Sequence, residues 1–190
     1  LGVNYVLDTC FAADLTIVEE ANELIERVTK QIAPLPQFTS CCPAWVKFCE
    51  NKYPDLAKHI SSCRSPQQMF GALVKEEARV NKKDERRTMM VSIMPCTAKK
   101  GEILRPEHFT DGEQDVDFVL TTSELTRMIM EAGIQFATLE PEALDMPFGL
   151  SSGAAAIFGV TGGVTEAVLR YVVNSSKAQD LETIAFTGIR

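Results

Sequence analysis

The chain has 190 residues, a length that suits one domain or one lobe of a larger domain. Hydrophobic residues make up 45% and charged residues 24%, which is typical of globular proteins and argues against disorder. The net charge of −7 argues against a nucleic-acid partner, because phosphate binding needs a basic surface. No apolar run in the sequence reaches the length that a membrane span needs.

Short β-rich stretches alternate with helical stretches along the chain. This order predicts an α/β fold with a mainly parallel sheet flanked by helices. Strands are predicted at residues 3–7, 88–94, 116–120 and 183–188, and helices at residues 14–30, 43–53, 65–80, 121–133 and 162–173. Residues 82–87 form a cluster of mixed charge that we interpret as a solvated loop.

The first predicted helix carries a start signal and an apolar stripe. Thr16 and Glu19 have the spacing of a capping box. The stripe consists of Val18, Ala21, Ile25 and Val28. On the opposite side lie Glu20, Glu23 and Arg27, and periodicity alone predicts a solvated face with Glu23 and Arg27 as an i,i+4 ion pair.

Six cysteines occur without regular spacing, which favours a reducing compartment over a disulfide framework. Cys41 and Cys42 precede the helix that Pro43 opens, where the helix dipole would favour a thiolate. Cys96 follows a predicted strand and has Lys99 three residues later, a cation that would also favour a thiolate. The alternative is that these cysteines are small buried apolar residues.

Two motifs carry a family resemblance when they are taken together. The segments Thr-Ser-Cys-Cys-Pro-Ala-Trp at residues 39–45 and Met-Pro-Cys-Thr-Ala-Lys-Lys-Gly-Glu at residues 94–102 resemble the first two cysteine signatures of FeFe (iron-only) hydrogenases. Residues 8–14, 65–68, 121–125 and 152–164 also resemble family segments, in the family order. The chain is therefore expected to form one lobe of the two-lobed catalytic domain of this family.

The resemblance implies an H-cluster, in which a four-iron, four-sulfur cubane is bridged to a diiron unit with CO and CN ligands. By this resemblance Cys42 and Cys96 would ligate the cubane, and Lys99 would donate a hydrogen bond to a cyanide. The further residues that the resemblance places around the cofactor are Met94, Phe158, Ser65 and Gln67.

The resemblance also implies a path for protons. Cys41 would carry protons to the diiron unit, and the relay behind it would consist of Glu20, Glu23, Arg27 and Ser61. This reading conflicts with the solvated face that periodicity predicts. We follow the resemblance, because another lobe or domain could cover that face.

The third cysteine motif of the family, which supplies two more cubane ligands, is absent from the sequence, as are the ferredoxin-like cysteine clusters. Residues 1–190 are therefore expected to be a fragment, a partial catalytic domain that is inactive alone. The expected partners are the remainder of the domain, ferredoxin-like domains or another electron carrier, and hydrogen and protons.

The expected function is the reversible oxidation of hydrogen and reduction of protons. The alternative is a non-catalytic iron–sulfur or sensory module on the same fold, but the retained Cys41–Cys42 pair favours the catalytic group. We expect a cytoplasmic location, and the sequence leaves a periplasmic one open.

Overall fold

The computed structural model describes residues 2–81 and 87–175. The predicted strand at 183–188 and all but Arg87 of the charged cluster lie outside these ranges. The chain divides into two compact units. Of the described residues, the sheet unit comprises those up to Leu7 and those within Gln67–Gly149, and the helical unit comprises Asp8–Pro66 and those from Leu150 onward.

Helices dominate the elements that the structure describes. The helices are α1 (Thr9–Lys30), α2 (Pro43–Lys52), α3 (Pro66–Val80), α4 (Ala98–Glu102), α5 (Thr122–Glu131), α6 (Gly153–Phe158) and α7 (Gly163–Ser175). The strands are β1 (Val91–Met94), β2 (Phe109–Thr110), β3 (Glu113–Gln114) and β4 (Phe118–Thr121). Within the described ranges, no helix is both long enough and apolar enough to span a bilayer.

In the sheet unit, β1 pairs with β4 in parallel, from Val91 opposite Phe118 to Met94 opposite Thr121. β2 and β3 form a small antiparallel pair. The core contains Ile103, Val116 and Val119, with Met90 and Met94 packed against it. The predicted combination of helices and parallel strands is confirmed, although both predicted strands, 88–94 and 116–120, begin too early.

In the helical unit, small residues let α1 pack closely against α6 and α7. Ala12 and Ala21 on α1 are fully buried, and Ala167 on α7 is 2% exposed. Gly163 begins α7, and a Cβ atom there would lie 1.7 Å from the carbonyl oxygen of Ile157. The turn between α6 and α7 therefore requires glycine at this position.

The end signals of several predicted helices are confirmed. α2 begins at Pro43 and ends before Tyr53, and α3 begins at Pro66. At the start of α5, Thr121 and Glu124 form a capping box: the Thr121 N–H donates to Glu124 Oε2 at 2.8 Å, and the Glu124 N–H to Thr121 Oγ1 at 3.2 Å.

Two local predictions are wrong. Residues 3–7 form no strand, and Val6 is instead held by Asp145, whose Oδ2 accepts the Val6 N–H at 2.6 Å. α1 starts at Thr9 and not at residue 14, because the Asp8 carboxylate caps it by accepting the Cys10 N–H at 2.9 Å. Thr16 is buried inside the helix and is not its N-cap.

Candidate functional site

The two vicinal cysteines lie where the chain enters α2. Cys42 is the N-cap residue, its side chain is exposed, and its Sγ accepts the Trp45 N–H at 3.5 Å. Cys41 is half-buried. Upstream, the Phe38 N–H donates to the His59 carbonyl at 2.8 Å, and the Ser61 N–H donates to the Phe38 carbonyl at 2.7 Å. These bonds hold the chain segment that precedes the two cysteines against residues 59–61.

A buried ion pair on α1 forms the centre of the helical unit's polar cluster. The Arg27 guanidinium donates to Glu23 Oε1 twice, at 2.6 Å and 3.0 Å. Its remaining bonds go to main-chain carbonyls, those of Pro34 at 3.1 Å, His59 at 3.2 Å and Ile60 at 2.9 Å. With these donors satisfied, Arg27 is tolerated at 3% exposure.

The other oxygen of Glu23 faces a polar loop. Ser61 Oγ–H donates to Glu23 Oε2 at 2.6 Å, the Ser62 N–H donates at 3.0 Å, and the Cys63 thiol lies 3.6 Å away. Burial by itself would raise the pKa of Glu23, but the Ser61 and Arg27 hydrogen bonds outweigh it and lower the pKa. Glu23 is therefore held as a carboxylate.

Glu20 lies one turn earlier on α1 and is fully buried. Its Oε1 accepts the Ser40 N–H at 3.1 Å and the Ser40 hydroxyl at 3.3 Å. Burial is the largest effect and raises the pKa of Glu20 to about 7; the Ser40 hydrogen bonds lower it in part, the charge of Glu23 raises it, and the Ser61 hydroxyl lowers it slightly. The single proton of the Ser40 hydroxyl is shared with the Cys63 carbonyl, which lies 2.5 Å from Oγ. The cluster thus extends to the residue immediately before Cys41.

The solvated face predicted from periodicity is wrong. The side chains of Glu23 and Arg27 are only 11% and 3% exposed, while Val28 of the predicted apolar stripe is 58% exposed. Main-chain and hydroxyl groups of residues 34–40 and 59–63 cover the charged side of α1 and supply its hydrogen bonds. Ser40, Ser62 and Cys63 were not predicted as site residues. The available signal was their position in the sequence, because Ser40 precedes Cys41 and the other two follow Ser61.

A second polar cluster lies in the sheet unit, after β1. Cys96 is half-buried, and Lys99 Nζ donates to both Glu102 oxygens, at 3.1 Å and 3.0 Å. Gln67 Nε2 donates to Glu102 Oε2 at 3.0 Å, and Gln67 Oε1 accepts the Ser92 hydroxyl at 2.8 Å. Glu102 and Ser92 had no predicted role, although Glu102 lies three residues after Lys99 inside the second cysteine motif.

The remaining predicted site residues are distributed over both units. Met94 ends β1 and Phe158 ends α6, and both are half-buried. Ser65 precedes α3 and is 2% exposed. The structure thus brings together Glu20, Glu23, Arg27 and Ser61 in the helical unit, and Gln67 and Lys99 in the sheet unit.

The chain offers cysteine sulfurs, which are suitable ligands for iron. All six cysteines are free thiols, and thiolates are the usual ligands of iron–sulfur clusters. Among residues 2–81 and 87–175, no group of three or more His, Cys, Asp and Glu side chains could hold a metal ion.

The chain resembles known hydrogenases over its whole length. It is 49% identical to the periplasmic [Fe] hydrogenase large subunit of Nitratidesulfovibrio vulgaris, covering 100% of this chain and 46% of that protein. It is 46% identical to the NADP-reducing hydrogenase subunit HndD of Solidesulfovibrio fructosivorans, covering 100% of this chain and 34% of that protein. It is also 36% identical to cytosolic iron-sulfur assembly component 3 of Bos taurus, covering 100% of this chain and 41% of that protein.

Solved structures agree with these relatives. Apo [FeFe]-hydrogenase HydA1 from Chlamydomonas reinhardtii, solved as a variant, matches 91% of this chain and 44% of its own, with 45% identity and a TM-score of 0.78. The chain spans a third to a half of the length of the curated relatives described above. The family model for the iron-only hydrogenase large subunit, C-terminal domain, matches residues 1–190, and the chain belongs to this family.

Proposed function

We propose that the protein containing this chain interconverts hydrogen with two protons and two electrons. The observation that carries this proposal is the buried hydrogen-bonded cluster of Glu20, Glu23 and Ser61, which reaches Ser40 beside Cys41. A buried carboxyl with a pKa near neutrality, hydrogen-bonded to the residue next to Cys41, is suited to proton transfer.

Two residues of the chain fit the cofactor that the family implies. Cys42 offers an exposed thiol at a helix N-terminus, and Cys96 offers a half-buried thiol between β1 and α4. When bound, the H-cluster supplies the electron transfer and the binding of hydrogen. A cubane normally takes four thiolates, so we propose that residues 1–190 alone hold no complete cluster and evolve no hydrogen.

Each residue of the helical cluster has a distinct task in this proposal. Cys41 exchanges protons with the cofactor, and Glu20 takes up and releases a proton near neutral pH. Ser40 connects the Glu20 carboxyl to the residue before Cys41. Ser61 links Glu23 to the loop, and Arg27 fixes Glu23 in its buried position.

The sheet unit's cluster is suited to orient the cofactor. The Lys99 ammonium would donate to the anionic cyanide ligand, and Glu102 and Gln67 fix the lysine side chain. Further contacts to the cofactor are assigned to Met94, Phe158, Ser65 and Gln67.

A second candidate is a non-catalytic iron–sulfur or sensory protein. It is supported by the 36% sequence identity to cytosolic iron-sulfur assembly component 3, which extends over the whole chain. A protein of that kind needs cluster ligands but no proton relay. The burial of charged and polar groups beside Cys41 favours the hydrogenase.

The electron partner in this proposal is a ferredoxin-like domain or a separate carrier. Six free cysteines favour a reducing compartment, so we propose the cytoplasm. Relatives include a protein named periplasmic and one named cytosolic, and fractionation of the native cells tests this assignment.

The test is hydrogen evolution with a reduced dye, together with iron analysis, on the full-length protein. Wild type should hold iron and evolve hydrogen. Cys41→Ala should keep its iron and lose nearly all turnover, whereas Cys10→Ala, at a half-buried cysteine with no assigned role, should behave as wild type. Full iron content without hydrogen turnover in wild type would favour the second candidate.

A further inference from the structure

Two buried oxygen atoms near the start of the relay lack hydrogen-bond donors. They are Glu20 Oε2 and Gln37 Oε1, and neither has a partner within the described residues. Leaving a buried acceptor unsatisfied is costly, most of all for a charged carboxylate. An arrangement that satisfies both atoms at once is therefore favoured.

The two side chains belong to neighbouring positions in the fold. Gln37 Nε2 donates to the main-chain carbonyl of Glu20 at 3.1 Å, which attaches the carboxamide to this turn of α1. The next residue, Phe38, is fixed by main-chain bonds to His59 and Ser61. Since Nε2 is used in this way, Oε1 is the atom of Gln37 that remains available to accept a hydrogen bond.

The two carboxyl oxygens of Glu20 also differ, because only one of them receives a hydrogen bond within the described part of the chain. The Ser40 N–H donates to Oε1, and the Ser40 hydroxyl oxygen lies 3.3 Å from the same atom, so Oε1 is the oxygen suited to remain an acceptor. Oε2 receives no donor and is the oxygen on which a proton removes an unsatisfied acceptor. Without a proton, Glu20 Oε2 and Gln37 Oε1 are both acceptors and cannot bond to each other. A proton on Glu20 Oε2 makes that atom a donor, and Gln37 Oε1 can accept from it.

We propose that Gln37 is a positioning residue for the relay: neutral Glu20 carries its proton on Oε2 and donates it to Gln37 Oε1. This inference deepens the proposed function and rests on it only for the consequence in turnover. Gln37 thereby adjusts how tightly Glu20 holds its proton.

The electrostatic surroundings of Glu20 agree with a neutral acid. Burial is the largest cause of the rise in its pKa to about 7, and the Glu23 carboxylate on the same helix adds to the rise. On α7, packed against α1, Glu166 and Arg170 pair with each other. Other charged or titratable groups on these elements include Tyr171 on α7, Arg27 on α1, Cys41 beside Ser40, and His59, Cys63 and Arg64 in residues 59–64.

The first test is a titration of the apoprotein, followed by the infrared carbonyl band of protonated carboxyl groups. A band that titrates near pH 7 should be present in wild type and lost in Glu20→Gln. Gln37→Met should lower this pKa by about one, because the neutral acid loses an acceptor and the carboxylate loses a facing oxygen dipole. Gln135→Met, at an exposed glutamine, should leave it unchanged.

An unchanged or higher pKa in Gln37→Met, or a wild-type Glu20 that is fully ionised at pH 6, would overturn the inference. The second outcome would mean that a bridging water, and not a proton on Glu20, satisfies Glu20 Oε2 and Gln37 Oε1. Gln37→Leu provides a second apolar variant should the first fold poorly.

A second readout separates this inference from the proposed function. In the full-length iron-loaded protein, the limb of the hydrogen-evolution pH profile that follows Glu20 should move with Gln37→Met by the same amount as the titration. A shifted titration with an unshifted turnover profile would leave the Gln37–Glu20 contact standing and remove Glu20 from the relay. An unshifted titration would overturn the inference whatever the turnover.

Discussion

Glu23 and Arg27 form a doubly hydrogen-bonded ion pair one helical turn apart, with side-chain exposures of 11% and 3%. The same helix carries Glu26 and Lys30 with the same spacing, but their side chains are 47% and 65% exposed. The two pairs have the same i,i+4 spacing but different surroundings. The Glu23–Arg27 pair is buried and connects α1 to residues 34 and 59–62, whereas the Glu26–Lys30 pair lies on the surface of α1. This contrast supplies an internal control for the energetics of the site.

Arg27→Met should lower the free energy of unfolding by about 3 to 5 kcal/mol, because it leaves the buried Glu23 carboxylate and three main-chain carbonyls without a cation. Urea denaturation followed by circular dichroism measures the effect. Lys30→Met, the matched change at the exposed pair, should cost less than about 0.5 kcal/mol. Equal losses in the two variants would contradict the structural role given to Arg27.

Ser61→Ala should raise the pKa of Glu23, because the hydroxyl bond that stabilises the carboxylate at 2.6 Å is removed. A carboxyl whose pKa is lowered in the folded state contributes stability above its ordinary pKa, and this contribution is lost as pH falls through the lowered value. Acid unfolding of Ser61→Ala should therefore begin at a higher pH than that of wild type.

Stability measured between pH 2 and pH 5 tests this prediction. Ser62→Ala is the control, since it keeps the main-chain donor to Glu23 and removes a longer hydroxyl contact of 3.3 Å. A larger shift in Ser62→Ala than in Ser61→Ala would reverse the assignment.

Gly163→Ala should destabilise the helical unit by at least about 2 kcal/mol, because the new Cβ would overlap the Ile157 carbonyl, which the turn cannot easily move. Gly153→Ala, at the start of α6, meets no atom within 4 Å and should be neutral or slightly stabilising. Thermal melts of the two variants provide the comparison. Comparable melting temperatures would show that the turn adjusts to a side chain.

Helix ends and the class of fold could be predicted from the sequence because their signals are local. Pro43 and the Thr121–Glu124 pair fix where α2 and α5 begin, and each acts within one turn. The start of α1 was predicted wrongly because Thr16 and Glu19 have the same spacing as a capping box. The Asp8 carboxylate competes for the same role and makes the bond.

The burial of the charged side of α1 could not be predicted from periodicity. That method assumes that charged side chains face water, whereas here the carbonyls of Pro34, His59 and Ile60 replace water around Arg27. These partners are up to 33 residues away in the sequence, so their position depends on the tertiary fold. Resemblance to a family carried this information, and residue patterns did not.

Glu20→Gln should change how stability depends on pH. Because the pKa of Glu20 is raised to about 7 in the folded state, the folded chain binds the proton more tightly than the unfolded chain does. Wild type should therefore lose stability as pH rises from the ordinary carboxyl range to about 7, by roughly 3 kcal/mol in all. Glutamine has no charge to bury and keeps a donor that can face Gln37, so this loss should be absent.

Urea denaturation at pH 5, 6, 7 and 8 would reveal this difference. At pH 8 the Glu20→Gln variant should be more stable than wild type, and at pH 5 the two should be nearly equal. The control is Glu19→Gln on the same helix, since Glu19 is exposed and its substitution should leave the pH dependence as in wild type. If Glu20→Gln were less stable than wild type at pH 8, Glu20 would be stabilising as a carboxylate, and a neutral acid at this position would be excluded.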